Sequence, residues 1–465
     1  MARIVVCGAG ASGLTTALLL AGDGHEVAVI ERDPMEAPAP SHAWDAWERR
    51  GVNQFRLPHL LLPRWRHEMD AALPQVSAGL RAAGAYCASF LGPFREMVPD
   101  PERFDIVTAR RPVLDAVLAA CVGDCANVTI RRGVALAGLQ VGTSAAPGIP
   151  NVVGVVTEAG EAIPADLVVI ATGRRSPFGR WLADIGARPP HEEIEDSGFV
   201  YYGRHFRSGD GSPLDKIIGM KDYGSVSLLA LPADNGAVGV GIIGTSADKA
   251  LLPLRQEPVW ERVLAALPDG DYYLEAEPIS PLVFMGGLED RYRRFVVDDQ
   301  PVVTGAVAVG DAWAATNPSL GRGISFATMH CLLLRDAIRD HLEDPYQLAL
   351  AFDGATETTL TPWYRATLWH DRHKLADVQA EVTDGTTDMS SRQDDQGWTT
   401  FKQLSQLAFS DLDLATRMVA GGTWFAETPE QLLADPDLTA KAAGHEPGGG
   451  HEGPSRSELL DLING

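Results

Sequence analysis

Residues 1–32 read MARIVVCGAGASGLTTALLLAGDGHEVAVIER, and they decide the reading of the whole chain. Ile4 to Cys7 is an unbroken apolar run, the pattern of a parallel strand buried on both faces. Gly8-Ala-Gly10-Ala11-Ser12-Gly13 follows, then a helical run from Leu14 to Ala21, then a second apolar strand from Val27 to Ile30. Glu31 and Arg32 close that strand, and both are expected to bind the cofactor. Gly8 permits the tight turn, Gly10 lets a pyrophosphate approach the backbone, and Gly13 lets helix and strand pack closely. The helix start at Ala11, Ser12 and Gly13 offers unpaired N–H groups and a positive dipole end to phosphates. Glu31 stands where a carboxylate accepts ribose hydroxyls. Strand, glycine turn, helix, second strand and acid in that order predict a dinucleotide site.

Bulk properties limit the partners. At 465 residues the chain has room for two or three structural units. Hydrophobic content of 45% with 22% charged residues is that of a globular enzyme. A net charge of −23 argues against nucleic acid and anionic membrane surfaces, which would repel it. No apolar run is long enough for a transmembrane helix. Met1 leads straight into a strand without a basic n-region or cleavage site, so a cytoplasmic location is expected. Five cysteines, an odd number in a long chain, suit a reducing compartment better than a disulfide framework. Cys121 and Cys125 are four apart, but nothing nearby completes a ligand set, and no metal is expected.

Further along, Asp33 to Ser41 carries three prolines and is irregular. Trp44-Asp-Ala-Trp47 leads into Gly51-Val-Asn-Gln54 and Pro58-His59. Leu114 and Leu118, with Val113 and Val117, predict an amphipathic helix starting near Pro112, with Arg110 and Arg111 at its head. Val128 to Ile130 reads as a strand followed by Gly133-Val134, and residues 152–156 and 161–164 as a hairpin. Ala165 to Ile170 is a further buried strand, ending in Ala171-Thr-Gly-Arg-Arg-Ser176.

From Pro177 to about Met285 the pattern becomes β-rich with alternation, and an inserted antiparallel sheet is expected. Tyr201, Tyr202 and Arg204 are candidate substrate-pocket residues there, although ordinary sheet packing accounts for them equally well. Gly239-Val-Gly241-Ile-Ile-Gly244 also spells the glycine fingerprint, but no helix starts after it, so it reads as a plain strand. A strand over Val302–Val309 then leads into Gly310-Asp311, Asn317-Pro318, Gly321-Arg-Gly323 and a helix to about His341. The remainder reads as helices over 346–352, 359–378 and 399–418, with a polar loop over Asp384–Trp398. Residues 444–453, GHEPGGGHEG, read as a flexible linker in which His445 and His451 are solvated, and Ser455 to Ile463 as a last helix.

The combination of GAGASG with Glu31, Arg111, ATGRRS and GD…NPxxGxG resembles the FAD-dependent monooxygenase superfamily related to p-hydroxybenzoate hydroxylase. The resemblance covers about residues 1–340. Gly51-Val-Asn-Gln54, ATGRRS and the Tyr201–Phe206 stretch look most like bacterial polyether and squalene-type epoxidases. It implies an α/β fold with a Rossmann-like FAD-binding domain of the glutathione-reductase type (GR2), built from residues 1–176 and 286–341. It further implies an antiparallel β-sheet substrate domain over 177–285, and a helical C-terminal region over 342–465 with a flexible tail near 444–453.

By the same resemblance Arg111 reaches the FAD pyrophosphate, the Val134 backbone holds the adenine, and Gln54 lies near the flavin. Gly310 and Asp311 meet the ribityl chain, Pro318 presses on the ring, and Gly321 and Gly323 let the backbone approach it. The implied reaction inserts one oxygen atom of O2 into a small hydrophobic organic substrate, by epoxidation or hydroxylation, through a flavin hydroperoxide. Bacterial secondary metabolism is the expected setting. No catalytic residue is identified, because epoxidation requires no protein nucleophile. Thr172-Gly173 stands where related hydroxylases often have Asp-Gly, a form associated with direct NAD(P)H use. Electrons therefore come from NAD(P)H directly or through a separate flavin reductase. A halogenase, a prenyl reductase and a non-catalytic flavin-binding protein are the alternatives, although the Trp-x-Trp-x-Ile-Pro motif of flavin halogenases is absent.

Overall fold

The computed structural model describes every residue except 50, 53, 145, 384–394 and 445–452. Its centre is a five-stranded parallel sheet ordered Ala306–Ala308, Leu167–Ile170, Arg3–Cys7, Glu26–Ile30 and Val128–Arg131. Ile4 pairs with Val27 on one side and Leu167 on the other. Ile4 and Val6 face a core with Leu14, Leu118 and Leu334, from the helices Ala11–Gly22, Arg111–Gly123 and Gly323–His341. Val5 and Cys7 face the opposite core with Leu139, Val155 and Trp181. That side is covered by a three-stranded sheet, Leu136–Val141, Val152–Thr157 and Ala162–Pro164, and by helix Phe178–Asp184. Covering on both faces is why these strands read as continuous apolar runs rather than alternating ones. The fold is α/β, with a Rossmann-like parallel core and separate antiparallel sheets.

The largest antiparallel sheet has six strands. Its path runs Gly219–Tyr223, Val226–Pro232, Ala237–Thr245, Phe199–Arg207 and Glu277–Pro278, and Val283–Met285 also pairs with Phe199–Arg207. One face packs on helix Glu257–Ala266 and the last helix, Arg456–Asn464, through Trp260, Leu459 and Ile463. The other gathers Leu57, Phe199, Tyr201 and Ile243. The second glycine fingerprint lies inside Ala237–Thr245, where every residue is buried. A Cβ at Gly239 would stand 2.8 Å from Pro58 Cβ. That glycine admits Pro58 against the sheet; it does not open a helix.

Three sequence expectations shift. The strand expected over Val302–Val309 pairs in the sheet only at Ala306–Ala308, because Gly305 turns the chain with φ +72°. The helix expected over 399–418 is two, Gln396–Leu407 and Leu412–Trp424, since Asp411 caps a new start by accepting from Leu414 N at 3.0 Å. The helix expected over 359–378 is Thr361–Val382. Most of the polar loop expected over 384–398, and the linker over 444–453 with His445 and His451, lie outside the described residues.

Candidate active site

The glycine turn separates packing from binding. Gly8 has φ +110°, and a Cβ there would stand 2.6 Å from Ala171 O. A Cβ at Gly13 would lie 1.9 Å from Gly8 O, so this glycine is required by helix–strand packing. At Gly10 a Cβ would meet nothing within 4 Å. The space is open, and it faces the start of helix Ala11–Gly22, which has no side-chain cap and no acid in its first turn. The uncapped N–H groups of such a start are free to donate to an anion.

Glu31 is buried beside this turn. Its Oε2 accepts from Ala9 N and from Arg49 Nη2, each at 2.8 Å, and its Oε1 accepts from Asp33 N at 2.9 Å. A carboxylate offers about four acceptor positions, so Oε1 keeps one open. Arg49 Nη1 donates to Ala9 O at 3.0 Å and to Asp115 Oδ2 at 3.1 Å. Arg111 Nε donates to Asp115 Oδ1 at 2.6 Å. Glu31, Arg49, Asp115 and Arg111 thus form one buried chain of alternating charge. Arg111 stands at its open end, with no acceptor for either terminal nitrogen among the described residues. Val134 N donates to Glu31 O at 3.0 Å, so this backbone lies beside Glu31. Arg32 is exposed, with its guanidinium against Gly51.

Arg110 serves a different purpose. Its Nη2 is 2.6 Å from Asp234 Oδ2, and its backbone N donates to Asp234 Oδ1 at 2.8 Å. It clamps the parallel-sheet unit to the antiparallel one. Arg49 and Asp115 were missed in the sequence. A readable cue existed for Asp115, an acid four residues after Arg111 on the apolar stripe of a helix.

The second motif returns to the first. Gly310 has φ +58°, and a Cβ there would stand 2.3 Å from Ser12 Oγ. Its N–H donates to His330 Nδ1 at 3.3 Å. Burial pushes His330 down to about 3, which keeps Nδ1 an acceptor. The half-buried Asp311 carboxylate has no partner among the described residues. Pro318 begins the turn Pro318–Leu320, Gly321 follows with φ +65°, and Gly323 opens helix Gly323–His341. That helix too has no side-chain cap and no first-turn acid, and a Cβ at Gly323 would meet nothing within 4 Å. Two uncapped helix starts, two open glycines, the free Asp311 and the free end of Arg111 suit a dinucleotide carrying a second ring system.

The loop before Gly321 is held by four partners. Tyr201 Oη donates to Asn317 Oδ1 at 2.7 Å. Asn317 N donates to Asp290 Oδ1 at 2.5 Å, and Ser319 Oγ donates to Asp371 Oδ1 at 2.7 Å. Arg174 Nη2, from the ATGRRS stretch, donates to Thr316 O at 2.8 Å. Burial raises Asp290 to about 7, and the nearby Asp371 charge adds to the effect.

Tyr201, Tyr202 and Arg204 do not line one pocket. They lie on the single strand Phe199–Arg207, where successive side chains point to opposite faces. Tyr201 faces Asn317. The Tyr202 ring lies in the core containing Trp260, and Arg204 binds Glu261 at 2.8 Å and Ser280 O at 2.9 Å. The period-two geometry removes Tyr202 and Arg204 from the side that holds the loop. Gln54 lies half-buried in the turn before Leu57, and its side chain has no hydrogen bond among the described residues. His59 and His205 are enclosed, and neither Nδ1 has a hydrogen-bond partner among the described residues. Burial lowers them to about 4 and about 3, respectively, with Arg111 adding to the effect at His59 and Arg110 at His205. Among the described residues no cluster of three or more His, Cys, Asp or Glu is placed to hold a metal, and no helix is long and apolar enough to cross a membrane.

Comparison with known proteins bears on the fold. The family described as FAD dependent oxidoreductase matches residues 3–45, the glycine turn and Glu31 included. Protein Rv3254 of Mycobacterium tuberculosis is 29% identical over 372 residues, 72% of each chain. Among solved structures, PqsL of Pseudomonas aeruginosa, a probable FAD-dependent monooxygenase, superposes with a TM-score of 0.59 at 17% identity, over 82% of this chain and 99% of PqsL. The myxobacterial chondrochloren halogenase CndH, an FAD-dependent halogenase, also superposes at 0.59 and 17% identity, over 84% of this chain and 91% of that one. The chain has the fold of the FAD-dependent monooxygenases, which halogenases share.

Proposed function

We propose that the chain is an FAD-dependent monooxygenase that inserts one oxygen atom of O2 into a small hydrophobic organic substrate, by epoxidation or hydroxylation. The observation that carries this is the contact of Gly310 with Ser12, which joins the two glycine motifs and their uncapped helix starts into one continuous cradle. Gly10 and the start of helix Ala11–Gly22 would take the pyrophosphate, with Arg111, while Glu31 and the Val134 backbone take the adenosine. Asp311 would take a ribityl hydroxyl, and Pro318, Gly321 and Gly323 the ring. Bound and reduced, FAD supplies the oxygen-transferring chemistry. The protein's part is to hold the Asn317–Gly323 loop rigid, to present N–H groups where the reduced ring is negative, and to keep water out.

A small organic substrate accords with PqsL, which has been crystallised with 2-aminobenzoylacetate. Electrons reach the site from NAD(P)H, directly or through a separate flavin reductase, and a role in bacterial secondary metabolism is part of the reading. Halogenation is the second reading, and the likeness to CndH supports the fold it would need. Trp44 and Trp47, the only close tryptophan pair near a Trp-x-Trp spacing, are buried in the arm, with their backbone carbonyls bound to Arg56.

Anaerobically reduced holoenzyme is mixed with an alkene or aromatic substrate panel and bromide, with and without O2. An oxygenated product formed only with O2 supports monooxygenation. A brominated product, or a saturated product formed without O2, overturns it.

A further inference from the structure

Arg322, between Gly321 and Gly323, carries a buried guanidinium with no ion-pair partner among the described residues. Among the described residues only Nη1 has an acceptor, Thr367 Oγ1 at 2.9 Å, and the enclosed Nε has none. Asp371 is the carboxylate that acts on it electrostatically, but its oxygens are taken by Ser319, Asn317 and His370. A guanidinium has five N–H donors in a planar fork, so most of this one's capacity is unused. Two rings flank it, Trp363 at 5.4 Å and Phe425 at 6.0 Å from the guanidinium carbon. Phe425 also packs on Phe326, with ring centroids 5.1 Å apart.

Phe425 holds a left-handed backbone, φ +58°, at the end of helix Leu412–Trp424. A bulky residue rarely adopts that conformation, and such outliers gather at binding sites. Here it turns an aromatic face toward an unpaired cation. Burial lowers Arg322 to about 10, so it stays charged at neutral pH.

We propose that Arg322 is the anchor for an anionic group of the substrate, a carboxylate on a planar aromatic or conjugated body, whose apolar part lies against Phe425, Trp363 and Phe326. The fork of the guanidinium matches a carboxylate bidentately, and the rings match the body. Arg322 belongs to the loop assigned above to the flavin, so an anion held there lies beside that loop. This assignment of the loop rests on the proposed function; the anion preference does not.

The test uses purified full-length protein, its FAD content measured first, titrated with benzoate and with its neutral isostere benzamide by calorimetry. Wild type is expected to bind benzoate at least about ten-fold tighter than benzamide, as for a charge-assisted pair. Arg322→Gln should remove that preference, while Arg322→Lys should retain part of it. Equal affinities in wild type overturn the proposal, whether or not the variants fold. So does a preference that survives in folded Arg322→Gln. Absence of FAD from wild type contradicts the proposed function instead and leaves the benzoate-to-benzamide ratio readable.

Discussion

Arg49 Nη2 donates to Glu31 Oε2 at 2.8 Å, inside the protein, and this pair ties Glu31 to the glycine turn. The same guanidinium holds Ala9 O in the glycine turn and Asp115 on helix Arg111–Gly123. Arg49→Ala strands the Glu31 charge and weakens the hold on Asp115. Breaking one side of a buried ion pair costs about 3–5 kcal/mol. Denaturant unfolding should show a loss of that size. Glu31→Gln keeps an acceptor for Ala9 N but loses the charge, and it should weaken FAD binding by about ten-fold, or about 1.4 kcal/mol. Unchanged flavin retention in Glu31→Gln would contradict the placement of the ribose.

The glycines should separate in the same way. Gly13→Ala places a methyl 1.9 Å from Gly8 O, a clash with backbone that cannot yield. It should give little or no folded protein. Gly10→Ala meets nothing within 4 Å and should leave the apoprotein's thermal midpoint near that of wild type. Its cost should fall on the pyrophosphate, seen as loss of the yellow cofactor during purification.

Asp290 sets a pH dependence whose sign is fixed. Its carboxyl is raised from 3.8 to about 7. Below the lower value both folded and unfolded forms are protonated, and the group contributes nothing. Between the two values the unfolded form ionises while the folded one keeps its proton, so stability falls as pH rises. The slope is at most about 1.4 kcal/mol per pH step, and it ends above the folded value. Asp290→Asn preserves an acceptor for Asn317 N and should remove this part of the slope. The check is the difference in thermal midpoint between variant and wild type across that window, which should widen in favour of the variant as pH rises.

Arg110 and Asp234 join the two sheets, with the guanidinium also over the Trp44 ring at 4.3 Å. Arg110→Met leaves the wholly buried Asp234 carboxylate uncompensated. It should destabilise the protein by about 3–5 kcal/mol. The double change Arg110→Met with Asp234→Leu should recover much of that loss, because the buried charge is then gone. A double variant no more stable than the single one would show that the clamp is not mainly electrostatic.

How far the sequence could be read follows from periodicity. The parallel strands announce themselves as short apolar runs because both faces are covered, and Gly8 to Glu31 showed its whole unit in order. Gly310 to Gly323 was legible as a motif, but its contact with Ser12 joins residues about 300 apart, and no local pattern carries such a distance. Tyr202 and Arg204 were grouped with Tyr201 by neighbourhood in sequence, whereas a strand separates neighbours onto opposite faces. Arg49, Asp371 and Arg322 escaped notice because a charged residue in sequence reads as solvated until the fold shows what encloses it. The break at Asp411 was missed because a side-chain cap interrupts a helical pattern without a proline or glycine.

Oxygen transfer at the cradle between Gly10 and Gly323 is the central claim, and isotopically heavy dioxygen tests it most directly. Reduced FAD-loaded enzyme turns over a substrate under this gas in ordinary water, and the product mass is read. One heavy oxygen atom per product molecule is the predicted result. A product whose new oxygen comes from water, or consumption of the gas to hydrogen peroxide with every alkene and arene offered left unchanged, would contradict it.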